Sequence, residues 1–157
     1  MKIKQNKKTG FTLIEILVVI GIIGILATVV LVAVNPNRQF KQARDSQRVA
    51  NVNTMLNALG QNIADHEGNL FCDGSIKVLP KDVHYGIASN LSIDGINIAD
   101  CLIPDYLSKL PYDPGNTSAY YNNEDDYFTG YSIYVDLSGR ITISAVGEIQ
   151  QNISVTR

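Results

Sequence analysis

The stretch FTLIEILVVIGIIGILATVVLVAV, residues 11–34, decides the fold. It has 24 residues and one charged side chain, that of Glu15. As an α-helix it would be about 36 Å long, enough to cross a hydrocarbon core of about 30 Å. A helix on the surface of a soluble core would keep a polar stripe, whereas this stretch is apolar on all sides. It therefore predicts a membrane-spanning helix.

Charge is distributed unevenly around this stretch. Residues 1–10 hold four Lys and no acid, whereas residues 49–157 hold 5 basic and 13 acidic residues, a net charge of −8. A basic flank stays in the cytoplasm, so the acidic part is expected outside it. The whole chain has 157 residues, 45% of them hydrophobic, and a net charge of −2. These values fit one folded domain beside the membrane helix and exclude a uniformly basic nucleic-acid-binding protein.

Several kinds of N-terminal segment combine a basic leader with an apolar run. A cleaved secretory signal has a shorter apolar region followed by small residues, but here Asn35 and Pro36 close the run. A plain signal anchor fits the length and leaves Glu15 unexplained, because a carboxylate costs roughly 2.5–3.5 kcal/mol at the centre of a membrane helix and less near its end. Glu15 therefore either reaches the cytoplasmic surface or meets a partner charge.

Residues 10–15, GFTLIE, resemble the cleavage region of the type IV prepilin family. In that family a short basic leader ends in Gly, Phe follows, and Glu lies five residues into the processed chain. The resemblance implies that a prepilin peptidase cuts between Gly10 and Phe11 and N-methylates Phe11. It also implies that Glu15 neutralises the new terminus of a neighbouring subunit, since opposite charges attract strongly in a low dielectric. Glu15 would then be a filament-assembly residue.

Beyond residue 34 the sequence predicts more helix and then a sheet. A kink is expected at Pro36, and an apolar stripe then extends the helix to about residue 66, where Gly68 ends it; the stripe is Val52, Leu56, Leu59 and Ile63. Residues 131–137 and 140–146 alternate in polarity around Ser138 and Gly139, which predicts a β-hairpin. A short helix is expected over residues 103–110, and residues 147–157 fit either a strand or a loose end.

The predicted fold class is α+β. A long N-terminal helix, membrane-embedded in its first half, packs its second half on a small antiparallel β-sheet head, as the pilin resemblance also implies. The expected segments are a leader removed on processing (1–10), a transmembrane half-helix (11–34), an extracytoplasmic half-helix (35–67), and a head with variable loops and a β-sheet (68–157). A basic stripe on the second half-helix is expected to hold anionic headgroups or the acidic heads of neighbours; it consists of Arg38, Lys41, Arg44 and Arg48.

The head contains two further candidate sites. Cys72 and Cys101 lie on the extracytoplasmic side, where a disulfide is favoured over two free thiols. Oxygen ligands suited to Ca²⁺ concentrate in one region, for which a solvated acidic loop is the alternative; they are Asp113, Asn116, Glu124, Asp125 and Asp126. No cofactor is required, and Ca²⁺ is the one candidate.

The sequence predicts a structural subunit of a type IV pilus or pilus-like filament, assembled from the membrane after leader cleavage. One alternative is a pseudopilin of a type II secretion system, because residues 110–145 resemble major pseudopilins in a loop after Asp113 and Pro114 followed by aromatic strands. Another is a membrane-anchored binding module that does not polymerise. No enzyme is expected, since the chain lacks a P-loop, a G-x-G-x-x-G loop and a G-x-S-x-G elbow.

The resemblance also implies partners and a location. The expected partners are copies of this chain, other pilin subunits, the prepilin peptidase, and an assembly platform protein with its ATPase. Direct nucleic-acid binding is not expected from an acidic head. The precursor would cross the membrane once with its head outside the cytoplasm, and the product would be an extracellular filament, or a periplasmic pseudopilus in the alternative.

Overall fold

The structure is a computed structural model that describes residues 10–89 and 95–157. It divides into two compact units, Met1–Gln39 and Phe40–Arg157. In chain order the elements are α1 (Leu13–Val34), α2 (Pro36–Asp65), β1 (Phe71–Cys72), β2 (Ser75–Ile76), β3 (His84–Ala88), β4 (Gly95–Ile96), α3 (Ala99–Leu102), β5 (Tyr120–Asn123), β6 (Asp126–Val135), β7 (Ile141–Ala145) and β8 (Ile153–Thr156).

Helix α1 forms most of the described part of the first unit. Its side chains from residue 13 to residue 33 are all exposed, so its apolar surface is left for an environment outside the chain. Among the described residues it is the one helix long and apolar enough to cross a membrane, over Leu13–Ala33. The predicted apolar helix is therefore present, and it begins at Leu13 because Thr12 serves as its N-cap.

The helix expected from residue 11 to about residue 66 is interrupted at one residue. Asn35 has left-handed backbone angles, with φ 41° and ψ 80°, a conformation that Asn tolerates better than most residues. Its side-chain oxygen then accepts a hydrogen bond from the amide of Arg38 at 3.3 Å, as an N-cap does. Pro36 opens α2, where its missing N–H is not needed. The break thus lies at the Asn35–Pro36 pair.

In the second unit, α2 packs on the sheet through the apolar stripe predicted for it. Val52, Leu56 and Leu59 are buried, and Ile63 packs on the same core. The helix ends at Asp65, and Gly68, with φ 89°, takes the left-handed position expected for it. The amide of Gly68 donates to the carbonyl of Ile63 at 2.9 Å.

The sheet confirms the α+β fold class and the hairpin. Its strand order is β4-β3-β6-β7-β8, with β5 paired to β6. Strands β6 and β7 are antiparallel, with Val135 opposite Ile141, and β8 shows that the ambiguous C-terminal segment forms a strand. The loop between β6 and β7 covers residues 136–140 rather than two residues, because Asp136 accepts hydrogen bonds from Ser138 and from the amide of Arg140.

Two details of the head were predicted wrongly. Strands β3 and β4 run parallel, so the sheet is not antiparallel throughout. The short helix expected over residues 103–110 is absent from that segment, and α3 ends at Leu102 instead. Ile103 is extended, with φ −110° and ψ 135°, because a residue that precedes Pro is kept out of the helical region by the proline ring.

Candidate functional site

The residues expected at the cleavage site lie just before α1. Gly10 and Phe11 are outside the helix and exposed, and 82% of the Phe11 residue surface is accessible. Thr12 separates them from the first helical residue and has extended backbone angles, φ −83° and ψ 153°. The Gly10–Phe11 peptide bond is therefore part of an exposed, non-helical segment.

Glu15 is held by Thr12 in a capping box. One carboxylate oxygen, Oε2, accepts hydrogen bonds from the backbone amide of Thr12 at 2.7 Å and from its hydroxyl at 2.8 Å. The Thr12 Oγ1 in turn accepts from the amide of Glu15 at 3.3 Å. A carboxylate at a helix N-terminus is also favoured by the helix dipole. The T-x-x-E spacing is the sequence signal of this motif, whereas the prediction for Glu15 considered only a partner charge.

The rest of α1 presents an apolar surface. Its other polar side chain, Thr28, donates its hydroxyl to the carbonyl of Gly24 at 2.9 Å, so its hydrogen bond is made within the helix. In lipid a helix must satisfy its polar groups internally, and α1 meets this requirement at Thr28. Such a surface can pack against lipid or against other apolar helices.

A buried ion cluster, which the sequence did not predict, joins α2 to the head. Arg48 is 3% exposed as a side chain and forms ion pairs with Asp113 at 2.8 Å, Asp45 at 2.7 Å and Glu148 at 3.2 Å. Arg44 also pairs with Glu148, at 2.6 Å. Arg44 and Arg48 were expected to hold anionic headgroups or the acidic heads of neighbours, but both bind acids of the same chain instead. Asp45, three residues before Arg48 on the same helix face, was the available signal.

Asp45 binds the loop between β7 and β8. Its carboxylate accepts hydrogen bonds from three successive backbone amides, those of Glu148, Ile149 and Gln150, at 2.8, 2.8 and 3.1 Å. These amides and Arg48 hold the pKa of Asp45 well below its ordinary value, although burial acts in the opposite direction. Hydrogen bonds from Arg44 and Arg48 lower the pKa of Glu148 to about 2. Both acids are therefore charged at neutral pH.

The five candidate Ca²⁺ ligands lie in two separate places. Asp113 is buried against Arg48 and also accepts from the amides of Gly115 and Asn116. Glu124 and Asp125 form the turn of the β5–β6 hairpin, next to Asp126. Tyr120 and Asn122 donate to the Asp126 carboxylate. Within residues 10–89 and 95–157, no group of three Asp, Glu, His or Cys side chains is arranged to hold a metal ion.

Cys72 and Cys101 are joined by a disulfide and both are buried. Asn62 of α2 connects the same two segments. Its side-chain amide donates to the carbonyls of Phe71 at 2.8 Å and Cys101 at 2.6 Å, and its oxygen accepts from the amide of Phe71 at 2.8 Å. The disulfide between Cys72 and Cys101 is therefore accompanied by hydrogen bonds from Asn62 that connect the same two segments.

The exposed N-terminal segment, the apolar α1 and the α+β head are consistent with a pilin-like fold. Residues 5–31 match a family model described as the prokaryotic N-terminal methylation motif. This is the leader motif of type IV prepilins and pseudopilins, and it supports a protein of the type IV pilin or pseudopilin type. Comparisons with curated proteins and with solved structures gave no match.

The matched motif has implications for processing and location. It is the motif of structural subunits and not of an enzyme class, and it implies processing by prepilin peptidase and assembly with other pilin subunits. Together with the apolar helix Leu13–Ala33, it fits a membrane-anchored precursor.

Proposed function

We propose that this chain is the structural subunit of a type IV pilus or pilus-like filament. In this proposal the leader, residues 1–10, is removed, Phe11 becomes the N-methylated terminus, and residues 11–34 form the membrane half of the long helix. Residues 35–67 and 68–157 form the extracytoplasmic half-helix and the head. The observation that carries the proposal is the methylation motif at residues 5–31. This motif includes most of α1, a helix whose side chains are exposed from residue 13 to residue 33.

The proposed mechanism is mechanical and needs no cofactor or catalysis. When subunits leave the bilayer, their apolar helices lose contact with lipid, and packing against one another in a filament core keeps this surface out of water. The exposed α1, from residue 13 to residue 33, has the surface that such packing requires. Glu15 would pair with the Phe11 terminus of a neighbour and set the axial register, since either charge alone is costly to bury.

The machinery and the final location belong to the same proposal. Besides prepilin peptidase and other subunits, a platform protein and a cytoplasmic assembly ATPase would extract the chain from the membrane. The product would be an extracellular filament. Direct nucleic-acid binding by this subunit is not part of the proposal, because residues 49–157 have a net charge of −8 and would repel phosphates.

A pseudopilin of a type II secretion system is the second candidate. Residues 110–145 favour it, through the loop that begins at Asp113 and Pro114 and the aromatic strand β6 that follows. In that case the filament would be short and confined to the periplasm. A membrane-anchored module that never polymerises is the candidate of another class.

Mass spectrometry of the N-terminus separates these candidates. Filaments sheared from cells and the washed membranes would be analysed side by side for the peptide that begins at Phe11. N-methylated Phe11 abundant in the sheared fraction supports a surface pilus, and N-methylated Phe11 confined to membranes supports a pseudopilin. An intact leader in both fractions would overturn the filament proposal and leave an anchored module.

A further inference from the structure

The first turns of α2 carry two cations that no acid of the chain neutralises. Arg38 is exposed and Lys41 is partly buried. Among the residues that the structure describes, neither of them forms an ion pair. Lys41 lies four residues before Asp45, so the two share one face of the helix. A positive charge is therefore free next to the point where Asp45 binds the loop between β7 and β8.

That loop presents exposed apolar side chains beside the helix. Val146 is 78% exposed and Ile149 is 44% exposed. The amide of Ile149 donates to Oδ2 of the buried Asp45 at 2.8 Å, and a Cβ built at Gly147 would lie 3.0 Å from Oδ1. Apolar side chains that a fold holds together and leaves exposed mark interaction sites more than single scattered ones do. The face formed by Lys41, Val146 and Ile149 therefore needs a partner.

The acids beside this face are already neutralised. Arg48 binds Asp45 at 2.7 Å and Glu148 at 3.2 Å, and Glu148 is the one acid in residues 146–152. After Asp45, the next acid of α2 is Asp65, about 30 Å further along the helix axis. An anionic partner would therefore meet the free cations without repulsion from unpaired acids of α2 or of the loop.

The length of the chain keeps this face close to the membrane that would hold α1. Pro36 follows Ala33, the end of the apolar span, by three positions, which is at most about 11 Å of extended chain. Lys41 is five residues further, about 8 Å along the axis of α2. The polar layer on each side of a hydrocarbon core is about 5–8 Å thick, and long basic side chains extend towards it. Lipid headgroups are thus an anionic surface within reach.

We propose that the face formed by Lys41, Val146 and Ile149 docks on the extracytoplasmic surface of the bilayer that holds α1 and selects anionic headgroups. Lys41 and the nearby Arg38 would bind lipid phosphates, and the two apolar side chains would enter the layer between the headgroups. Basic and apolar side chains are combined in this way in segments that bind at membrane interfaces. An acidic head of a neighbouring copy would match the cations but not the apolar loop.

This inference rests on one part of the proposed function, the insertion of α1 into a membrane, and it needs neither cleavage nor assembly. It adds a second membrane contact, made by the folded head. A subunit that leaves the bilayer would have to release this contact as well as that of α1.

The test measures how close the head of the uncut full-length chain lies to lipid. The chain is placed in nanodiscs of phosphatidylcholine alone, or of phosphatidylcholine and phosphatidylglycerol in equal amounts, with a nitroxide on a few headgroups. The nitroxide broadens the methyl NMR signals of nearby side chains. We expect the Ile149 methyl signals, assigned by their absence in Ile149→Val, to be broadened in the anionic bilayer and much less in the neutral one. Equal signals in the two bilayers would overturn the inference.

The opposite end of β7 provides a matched control. Leu137 is 75% exposed in the loop between β6 and β7, and Lys81 donates to its carbonyl at 3.3 Å. Because β6, β7 and β8 are consecutive antiparallel strands, this loop and the β7–β8 loop lie at opposite ends of β7. The Leu137 methyl signals should therefore stay sharp in both bilayers. Broadening as strong as that of Ile149 would mean that the head approaches lipid without a preferred face, which contradicts docking.

Substitutions test the contribution of each side chain, measured by the same signals. Lys41→Gln and Arg38→Gln should each lower the ratio of docked to undocked heads about fivefold, the factor for one basic residue near an anionic surface. Val146→Ser should lower it by a similar factor, because apolar surface leaves the interface. Lys81→Gln should leave the ratio unchanged. If Lys41→Gln has as little effect as Lys81→Gln, the assigned face is wrong.

A second nitroxide, placed in the acyl chains, separates this inference from the proposed function. If the methyl signals of Ile23 in α1 stay sharp, α1 is not in the bilayer, and both fail. If they broaden while the Ile149 signals stay sharp, only docking fails. Ile149 signals that change with the number of chains per nanodisc, and not with lipid charge, would identify a neighbouring copy as the partner and overturn the inference.

Discussion

Arg48 and Asp113 form a buried ion pair that joins α2 to the loop before β5. The Arg48 Nε lies 3.1 and 3.0 Å from the two carboxylate oxygens of Asp113, and Nη2 lies 2.8 Å from Oδ1. Both side chains are nearly inaccessible, at 3% and 6% exposure. The bonds made by Nε and Nη2 together fix the guanidinium plane. The pair thus ties together segments 65 residues apart in sequence.

Replacing Arg48 by Ala should strongly destabilise the head. The substitution leaves Asp45 and Asp113 buried without their cation, and breaking a buried pair from one side costs about 3–5 kcal/mol. The free energy of unfolding would be measured by urea titration of the full chain in detergent micelles. Arg140→Ala is the control, because Arg140 pairs with Asp136 while 69% exposed and should cost less than about 1 kcal/mol. Equal losses for the two variants would contradict this account of the cluster.

The cluster should make the stability of the head depend on pH in the acidic range. Hydrogen bonds from Arg44 and Arg48 lower the pKa of Glu148 from 4.5 to about 2, and the loop amides and Arg48 lower the pKa of Asp45 as well. An acid whose pKa is lower in the folded state stabilises the fold above its unfolded pKa and loses this effect as pH falls through the folded value. The contribution of Glu148 should therefore be complete above pH 5 and decline towards pH 2.

The measurement for this prediction is the difference in unfolding free energy between the wild type and Glu148→Gln. It should be constant from pH 5 to pH 7 and shrink between pH 4.5 and about pH 2. Glu67→Gln, in the exposed turn that follows α2, serves as the control for general effects of acid. A difference that grows as pH falls would show that the sign is wrong.

The parts of the fold that the sequence could predict are those that depend on local pattern. An unbroken apolar run predicts α1, and alternation around Ser138 and Gly139 predicts the β6–β7 hairpin. The ion cluster depends on partners 65 and 100 residues from Arg48, which no local period reveals. The helical spacing of four cations in the sequence does not show whether their side chains face solvent or bind acids that the fold brings near. Arg44 and Arg48 bind such acids.

Gly147 should be required by the packing around Asp45. A Cβ at this position would overlap the carbonyl oxygen of Gln150 and lie 3.0 Å from Asp45 Oδ1. The oxygen belongs to the backbone of the loop that Asp45 holds, so it cannot move aside by a rotamer change. Gly147→Ala should therefore cost about 1–3 kcal/mol, as overpacking does.

Gly60→Ala provides the comparison for Gly147→Ala. Within the described residues, no atom outside its own helix backbone lies within 4 Å of a Cβ built at Gly60. It is inside α2, where Ala is favoured over Gly by roughly 0.5–1 kcal/mol. Thermal unfolding of the two variants should therefore shift in opposite directions. A stabilised Gly147→Ala would mean that the 147–150 loop is not held as the structure shows.

Asn62 should matter for stability even though a disulfide joins the same segments. The bridge between Cys72 and Cys101 closes a loop with a separation of 29 residues, which contributes about 3–4 kcal/mol through the entropy of the unfolded chain. Asn62 acts on the folded state instead, and its loss leaves the amide and carbonyl of Phe71 and the carbonyl of Cys101 without the bonds it makes. Since an unsatisfied buried polar group costs about 1–3 kcal/mol, Asn62→Ala should destabilise the oxidised chain by at least about 2 kcal/mol.

Asn53→Ala is the matched control for Asn62→Ala. Asn53 is on the same helix, is less buried than Asn62, and donates to the carbonyl of Val49 one turn back, so replacing it by Ala should be neutral or slightly stabilising. Urea unfolding of both variants would be measured with and without a reducing agent. The reductant should lower the stability of every chain, and Asn62→Ala should remain less stable than Asn53→Ala in both conditions, because the two links act on different states of the chain. If the two variants coincide while the disulfide is intact, the covalent link alone holds these segments together.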